Sequence, residues 1–505
     1  MAKATIADNA NLSRWGGAVL GFTLLCYLAN VFLGMLNQDE GWYLYAARLV
    51  MEGSVPHRDF FFTQGTVMPV VYACLGWCWS SLGVLGGRLL TAGFSIVALW
   101  IASRTLERDC GTSLSRQVSR IIFFALLGIN LWYTYFTTIP KAYGICTLLM
   151  ALGWWNLSRI QHGPRVRIVS VVLSGICFAL LANIRFSMGI LLPVVMGWLF
   201  WHRQWLGRWM WFYFAVAAGG LLTALLLPEL IFWPQQFWEA CQFHGAREPI
   251  GIVGMIGAIA RLIRFNPLLI LLTLLLGWQW MKTSRIEASV TAQGVAFPQL
   301  WGVAAVALIV VHLLAPVPYD DYCVPALLPL GMAVACLCAQ LTDETTRIGL
   351  TKGVVLGALA LTVCASPIAQ DWMVWGQDRF WVIFKAEPDL FALRRVGAQI
   401  RQAAERLNTK TLWTQDTYLA VEAGLHVPAG MEMGPFSKPQ SLSFEPLLAA
   451  WSGYTFALEY PSLKPSPLRA QQLEALQTVY THHLLEEPVF GQGGTSLTIA
   501  ERTMP

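Results

Sequence analysis

The chain carries two adjacent carboxylates, Asp39 and Glu40, directly after its first long apolar run. Carboxylates held at a membrane surface can accept a proton from a hydroxyl group or share a divalent cation. The same pair can also begin a helix, because an acidic side chain there accepts hydrogen bonds from free backbone N–H groups and complements the helix dipole. The two residues alone leave both uses open.

The residues after this pair indicate what holds it in place. Residues 40–52 have the aromatic and amphipathic character of a helix that lies in a membrane interface. Gly53 and Pro56 end this pattern. We therefore predict that the two carboxylates lie at the start of an interfacial helix.

The composition excludes several classes of protein. Of the 505 residues, 56% are hydrophobic and 12% are charged, whereas soluble domains have about 25% charged residues. The formal net charge of +5 is too small and too diluted along the chain for a nucleic-acid binder. These values predict a mainly α-helical protein that crosses the membrane many times.

Apolar runs that approach the roughly 20 residues needed to cross a bilayer recur along the chain. Segment 66–82 is also apolar, but another span there would invert every later loop, so we interpret it as an interfacial segment. We predict about 11 spans, at residues 16–36, 83–101, 119–136, 141–157, 168–184, 187–201, 209–228, 262–281, 299–315, 323–341 and 353–371.

The charges of the loops predict the orientation. Lys and Arg are concentrated in the short loops on the side of the N-terminus, and such loops are usually cytoplasmic. With an odd number of spans, the C-terminus then lies outside. We predict a transmembrane domain at residues 1–371, with its first outer loop at 37–65, and a separate soluble extracytoplasmic domain at 372–505.

The predicted outer domain has a mixed pattern. Residues 390–407 look helical, and strand-like runs occur at 411–413 and 497–499, which predicts a small α/β domain. It contains no nucleophile elbow, phosphate-binding loop or zinc pattern. No cysteine follows Cys364, so a disulfide framework is not expected there.

Several motifs occur together along the chain. They are the acidic pair, the W-Y-x-Y-A-A run at 42–47, G-x-x-P-x-R-D-F-F at 53–61, G-G-R-L at 86–89, and the stretches 183–187, 319–322 and 417–434. Together they resemble the C-type (GT-C) superfamily of membrane glycosyltransferases, and within it the branch of the protein O-mannosyltransferases and the lipid A aminoarabinose transferase. The likeness covers most of the chain in layout and is specific only in the first outer loop.

The resemblance implies an activity. Members transfer a sugar from a polyprenyl-phosphate donor to an acceptor on the outer face of the membrane, here the plasma (inner) membrane of a bacterium. Direct displacement with inversion needs a base near the acceptor hydroxyl and charge relief for the departing phosphate. We predict Asp39 as the general base, and Glu40 as a second catalytic residue that orients Asp39, contacts the acceptor or binds a metal.

Cations on the predicted outer face are candidate ligands of the donor phosphate. Arg binds phosphate through two parallel hydrogen bonds, which favours it over Lys. Each cation could instead anchor the interface or form an ion pair. The predicted phosphate ligands are Arg58, Arg185 and Arg247, and the predicted acceptor or secondary residues are His57, His244 and Lys141.

The turn at 319–322 adds two phenols and two carboxylates. By resemblance, Tyr319 or Tyr322 donates a hydrogen bond to the donor phosphate. Asp320 and Asp321 either cap the next helix or bind a divalent cation together with Asp39. A divalent cation is therefore the one candidate cofactor, and metal dependence stays open.

The chain departs from the family at one place. Relatives often have a Lys-Pro-Pro element where this chain has residues 63–66, Thr-Gln-Gly-Thr, so the cation for the phosphate is expected from elsewhere. Arg88, at the start of the second span, is expected to snorkel or to form a pair.

Two other functions compete with a transferase. A transporter or flippase predicts ionisable residues deep in the spans and an internal repeat, whereas most charges here lie in loops. An O-antigen-ligase-type enzyme predicts a large late outer loop. The sugar, a hexose or a pentose, and the acceptor, a lipid, a polysaccharide or a protein, stay open, and no nucleic-acid partner is expected.

Overall fold

The protein is mainly helical. The computed structural model describes residues 2–160, 164–243, 245, 247, 249–283, 297–341, 344–364, 387–434, 437, 448–452 and 497–501. The helices are α1 (Ala2–Leu33), α2 (Gln38–Met51), α3 (Val67–Cys74), α4 (Gly76–Trp79), α5 (Val84–Asp109), α6 (Ser113–Phe123), α7 (Leu131–Phe136), α8 (Ala142–Ser158), α9 (Pro164–Ile184), α10 (Leu191–Trp201), α11 (Arg203–Leu206), α12 (Met210–Phe232), α13 (Pro234–Phe243), α14 (Gly251–Phe265), α15 (Pro267–Thr283), α16 (Phe297–Leu313), α17 (Val324–Leu341), α18 (Glu344–Cys364), α19 (Asp389–Arg406) and α20 (Thr417–Ala423).

Every predicted span coincides at least in part with helix, but the helices differ in length. Five are long and apolar enough to cross a membrane, or six if α14 and α15, bent by 94°, form one span. The five are the apolar parts of α1, α5, α9, α12 and α17. Others, such as α8 and α16, have 17 residues. The total of about 11 spans therefore stays a prediction.

The burial of the long helices shows which of them lie inside. α17 is the central helix, because 89% of its apolar window is buried, whereas only 17% of the window of α12 is buried. α12 instead exposes large apolar side chains such as Phe212, Val216 and Ile231. A continuous apolar face of this kind is stable in contact with lipid rather than with water.

The first loop forms the predicted helix, and its interfacial location stays a prediction. α2 begins one residue after Asn37 and ends before Gly53, whose φ of 94° suits the left-handed conformation that favours glycine. Segment 66–82 follows as two short helices, α3 and α4, and a 3₁₀ turn. With 8 and 4 residues, neither helix is long enough to span a bilayer.

The chain after residue 386 contains the predicted helix and strands. α19 covers the predicted helical stretch, and the two strand-like runs become β1 (Leu412–Trp413) and β3 (Leu497–Glu501). β2 (Leu448–Ser452) lies between them, parallel to β1 and antiparallel to β3. The boundary at 372 lies outside the described residues, and the separate soluble domain stays a prediction.

Candidate active site

The N-terminus of α2 gives different tasks to the two predicted catalytic carboxylates. The side chain of Asn37 accepts a hydrogen bond from the backbone N of Asp39 at 2.9 Å, and Oε1 of Glu40 accepts one from the backbone N of Asn37 at 2.8 Å. This reciprocal arrangement is a capping box. Glu40 therefore has the capping function, and the side chain of Asp39 is left for other contacts.

Glu40 is also held by a buried arginine. Arg88 of α5 donates to Oε2 of Glu40 at 2.6 Å and to Oε1 at 2.7 Å, and both side chains are fully buried. The guanidinium also donates to the carbonyl oxygens of Val31, Gly34 and Met35 at 3.0–3.1 Å. Of the roles considered for Glu40, only the orientation of Asp39 fits this burial. Arg88 forms a pair, the second of its two expected states.

Asp39 contacts residues from two directions. The indole N of Trp42 donates to its Oδ1 at 3.0 Å, and Nζ of Lys141, which precedes α8, forms an ion pair with its Oδ2. The Asp39 side chain is 21% exposed, whereas the Lys141 side chain is 9% exposed. Asp39 is thus a fixed carboxylate that an incoming molecule can still reach.

Lys141 joins two carboxylates that are distant in sequence. Its Nζ also pairs with Oδ2 of Asp321, which accepts a second hydrogen bond from the hydroxyl of Tyr143 at 2.9 Å. The ammonium group of Lys141 therefore lies between the two acids and pairs with both.

Arg185, which follows α9, lies beside this cluster and is 7% exposed. Its guanidinium lies over the rings of Tyr143 at 5.0 Å and Tyr322 at 4.6 Å, and its Nε donates to Oγ of Ser187 at 3.3 Å. Ser187 in turn lies 2.9 Å from Nε2 of His312. Within the described part of the chain, no carboxylate forms an ion pair with Arg185, although Asp321 is near enough to interact with it electrostatically.

Arg247, in the segment between α13 and α14, reaches the same turn. The guanidinium of Arg247 lies 5.6 Å from the ring of Tyr319, and this ring is 5.3 Å from that of Tyr322. The structure thus brings together six of the predicted residues, which are Asp39, Lys141, Arg185, Tyr319, Asp321 and Tyr322, with Arg247 at the edge. His244 lies outside the described residues, and the side chain of Asp320 is not described.

Two predicted residues lie elsewhere. Arg58 is about half exposed and pairs with the adjacent Asp59 at 2.6 Å, rather than with the cluster around Lys141. His57 is buried, with Nε2 at 3.0 Å from the carbonyl oxygen of Phe62 and Nδ1 at 3.3 Å from the carboxylate of Glu229. In the sequence both belong to the same loop as Asp39, but in the structure they make other contacts.

The residues at 63–66 contribute packing where the family often has a cation. A Cβ on Gly65 would lie 2.0 Å from the carbonyl oxygen of Asn183, so only glycine fits. The Asn183 side chain also accepts a hydrogen bond from the backbone N of Val67 at 3.0 Å. This loop therefore supports the end of α9, immediately before Arg185.

Sequence reasoning missed three residues of the network. Tyr143 lies two residues after Lys141, and Ser187 ends the motif that contains Arg185. His312 lies inside an apolar run, and an ionisable residue in such a run is often functional. This last signal was available from the sequence.

The carboxylates of the network do not form a metal-binding group. Among the described residues, no three His, Cys, Asp or Glu side chains come together in a way that could hold a metal ion. Of the three acids expected to share a cation, Asp39 and Asp321 share the ammonium group of Lys141, and the side chain of Asp320 is not described. Metal dependence stays open.

Comparisons with solved structures reveal similar folds. The chain is similar to a crystal structure of ArnT from Cupriavidus metallidurans bound to undecaprenyl phosphate, with a TM-score of 0.58 and 11% identity over 96% of this chain and 98% of that chain. The apo structure of the same protein gives a TM-score of 0.56 and 14% identity, with the same coverage.

A third structure has the same general architecture. The Archaeoglobus fulgidus oligosaccharyltransferase, in a complex with Zn and sulfate, gives a TM-score of 0.52 and 11% identity over 82% of this chain and 62% of that chain. No protein-family model matches the sequence, and no curated protein matches it. The chain therefore shares its fold with ArnT and with the oligosaccharyltransferase, two of the kinds of protein that the sequence motifs led us to expect.

Proposed function

We propose that this protein, which has the GT-C fold, is a membrane glycosyltransferase that takes a sugar from a polyprenyl-phosphate-linked donor. The observation that carries the proposal is that a reachable carboxylate and a buried cation lie in one network without pairing with each other. Asp39 is a reachable carboxylate, and Arg185 is a buried cation that no described carboxylate pairs with. Asp39 can accept the proton of an acceptor hydroxyl, and Arg185 can bind the departing phosphate.

Arg185 is the best-placed ligand for the donor phosphate. The rings of Tyr143 and Tyr322 fix its plane, and the bond from its Nε to Ser187 occupies only one of its donor groups. The remaining N–H groups suit two phosphate oxygens at once. Arg247 lies near Tyr319, from which it can approach the same phosphate.

Asp39 is the proposed general base. The acceptor hydroxyl gives its proton to Asp39 and attacks the anomeric carbon, while the bond to the phosphate oxygen breaks and the phosphate takes the electron pair. Attack opposite to the phosphate inverts the anomeric centre. Lys141 holds the Asp39 carboxylate in place through their ion pair.

The proposed acceptor is an extracytoplasmic lipid, polysaccharide or protein hydroxyl. The donor's apolar tail explains why a sugar-transferring enzyme has so many apolar helices. The enzyme must bind the phosphate at the membrane interface while the isoprenoid lies among the helices. The similarity to ArnT bound to undecaprenyl phosphate supports a lipid-phosphate donor for this chain as well. The proposed location is the plasma membrane of a bacterium, with Asp39 facing outward.

The decisive experiment compares wild type with Asp39→Asn in lipid nanodiscs, using a panel of polyprenyl-phosphate hexoses and pentoses and a total envelope extract as acceptor. Wild type is expected to release free polyprenyl phosphate from one of these donors. Asp39→Asn is expected to bind the donor but to release product at least about 100-fold more slowly.

The two parts of the proposal fail in different ways. Full activity of Asp39→Asn would contradict the assignment of the base and leave the transferase function intact. Absence of polyprenyl phosphate release by wild type with every donor would contradict the function itself. In cells, deletion of the gene is expected to leave one glycan short of one sugar while its polyprenyl donor accumulates.

A further inference from the structure

The motif at 417–434 lies directly against α2, the helix that begins with Asp39. The two elements are so close that a Cβ on Gly41 would lie 2.3 Å from the backbone N of Tyr418. Real Cβ atoms do not approach a backbone atom so closely, so this contact requires glycine in α2. The backbones of α2 and α20 therefore meet without an intervening side chain.

Arg48 binds the far end of α20 from the last turn of α2. It donates to the carbonyl oxygen of Ala420 at 3.1 Å and to that of Leu425. Gly424, with a φ of 72°, ends α20 between these two carbonyls. A cation is favoured at such a C-terminus, because the last carbonyl groups of a helix have no partner within it.

A further contact lies beside Arg48, and two more lie next to Asp39. The hydroxyl of Tyr45 accepts a hydrogen bond from the backbone N of Val427 at 2.9 Å. At the start of α2, Gln38 donates to Oδ1 of Asp416 at 3.2 Å, and the backbone N of Leu36 donates to Oδ2 of Asp389 at 3.2 Å. The C-terminal part of the chain thus holds α2 at both ends.

The same motif also contacts the helix that supports Glu40. Oε2 of Glu422 accepts a hydrogen bond from the backbone N of Val84 at 3.1 Å, at the first residue of α5. Arg88, one turn further along α5, binds Glu40. The motif therefore contacts both of the helices that determine where Asp39 lies.

We propose that the motif at 417–434 is a positioning element for the general base, and that Arg48 is its main anchor on α2. It fixes the axial position and rotation of α2, and these place the Asp39 carboxylate against Lys141 and the acceptor. This inference rests on the proposed function. It assigns to the C-terminal part of the chain a direct effect on the chemical step.

The test compares two arginines that bind the same helix end from different elements. Arg401 of α19 donates to the carbonyl oxygens of Ala423 and Glu422 at 3.1 and 2.8 Å, so it lies entirely within the C-terminal part. Arg401→Met is therefore the matched control for Arg48→Met. Both variants are made in the full chain and assayed for polyprenyl phosphate release and for hydrogen–deuterium exchange.

For Arg48→Met we expect kcat to fall about tenfold, since the loss of hydrogen bonds from a charged group commonly has an effect of this size. The donor KM is expected to stay within about twofold, because Arg185 and Tyr322 belong to other elements. Amide exchange is expected to rise in peptides covering 36–51. Arg48→Lys should recover part of kcat, and Arg401→Met should leave kcat within about twofold of wild type.

The outcomes separate this inference from the proposed function. An active wild type with unchanged kcat in Arg48→Met would overturn the inference, and so would an equal loss in Arg401→Met. An inactive wild type would instead overturn the proposed function, while the exchange data would still test the contact. If Arg48→Met does not fold, Gly41→Ala gives the same test, with Gly21→Ala, which has open space around its Cβ, as its control.

Discussion

Two buried cations lie against the ring of Tyr143, but their partners differ. Nζ of Lys141 lies 5.3 Å from the ring centre and pairs with both Asp39 and Asp321. The guanidinium of Arg185 lies 5.0 Å from the same centre and has no described carboxylate in an ion pair with it. A paired cation orients its carboxylates, whereas an unpaired one can bind an anionic ligand. We therefore propose that Lys141 orients the base and that Arg185 binds the phosphate.

This difference predicts which arginine binds the donor. Replacement of Arg185 by Gln is expected to raise the donor KM at least tenfold, because a charged hydrogen bond to phosphate contributes about 1.5–3 kcal/mol and about 1.4 kcal/mol corresponds to a factor of ten. Arg58→Gln is expected to leave the donor KM within about twofold, since Arg58 is exposed and paired with Asp59. Steady-state kinetics with varied donor concentration measures the donor KM of both variants. An equal rise of KM in the two variants would indicate that Arg58 also binds the donor.

The joint between α1 and α2 is built around one arginine. The guanidinium of Arg88 binds three carbonyl oxygens at 31–35 and the carboxylate of Glu40, so it connects the end of one helix to the start of the next. The pair is fully buried, and loss of one member would leave the other charge without a partner. The direction of α2, and with it the place of Asp39, depends on this joint.

The buried pair of Arg88 and Glu40 predicts a large loss of stability on substitution, which a second substitution partly restores. Arg88→Met is expected to lower the free energy of unfolding by about 3–5 kcal/mol, and adding Glu40→Leu is expected to recover much of it, because the uncompensated charge is then removed. Thermal or denaturant unfolding in detergent measures both variants.

Arg104→Met is the control for this prediction. Arg104 pairs with Glu107 on the surface, with nearly half of its side chain exposed. Its replacement is expected to change the free energy of unfolding by less than about 1 kcal/mol. A similar loss of unfolding free energy in Arg88→Met and Arg104→Met would contradict a particular importance of the buried pair.

The main groups of the proposed site lie around the N-terminal ends of α2 and α8, the C-terminal end of α9 and the turn before α17. The C-terminal part of the chain contacts α2 and α5 on the same side. If this side is extracytoplasmic, as the loop charges predict, then the site and the C-terminal part face away from the cytoplasm together.

Cysteine labelling tests this orientation. A cysteine at Lys410, which is exposed, is expected to react with a membrane-impermeant maleimide added to the outer face, whereas one at Arg208 is expected to react only from the cytoplasmic face. Both are introduced into a Cys74→Ser background, because the thiol of Cys74 is exposed. Labelling at 410 from the cytoplasmic side alone would invert the predicted topology.

The local sequence was sufficient for the features that depend on near neighbours. The apolar runs predicted the helices, because each helix satisfies its own backbone in lipid, and the 40–52 pattern predicted α2. The acidic pair predicted a helix start, and its second member, Glu40, does cap α2. The strand-like runs at 411–413 and 497–499 became β1 and β3.

The partners of the charged groups depended on tertiary structure. Arg58 and Asp39 lie in one loop, yet Arg58 pairs with Asp59, while Asp39 meets Lys141, about a hundred residues further along the chain. Asp321 joins them from a still more distant turn. Sequence spacing determines which face of one helix a residue occupies, but the packing of several helices decides which faces meet. The residue types could therefore be recognised in advance, whereas the partners of Lys141, Tyr143 and Arg88 emerged only from the fold.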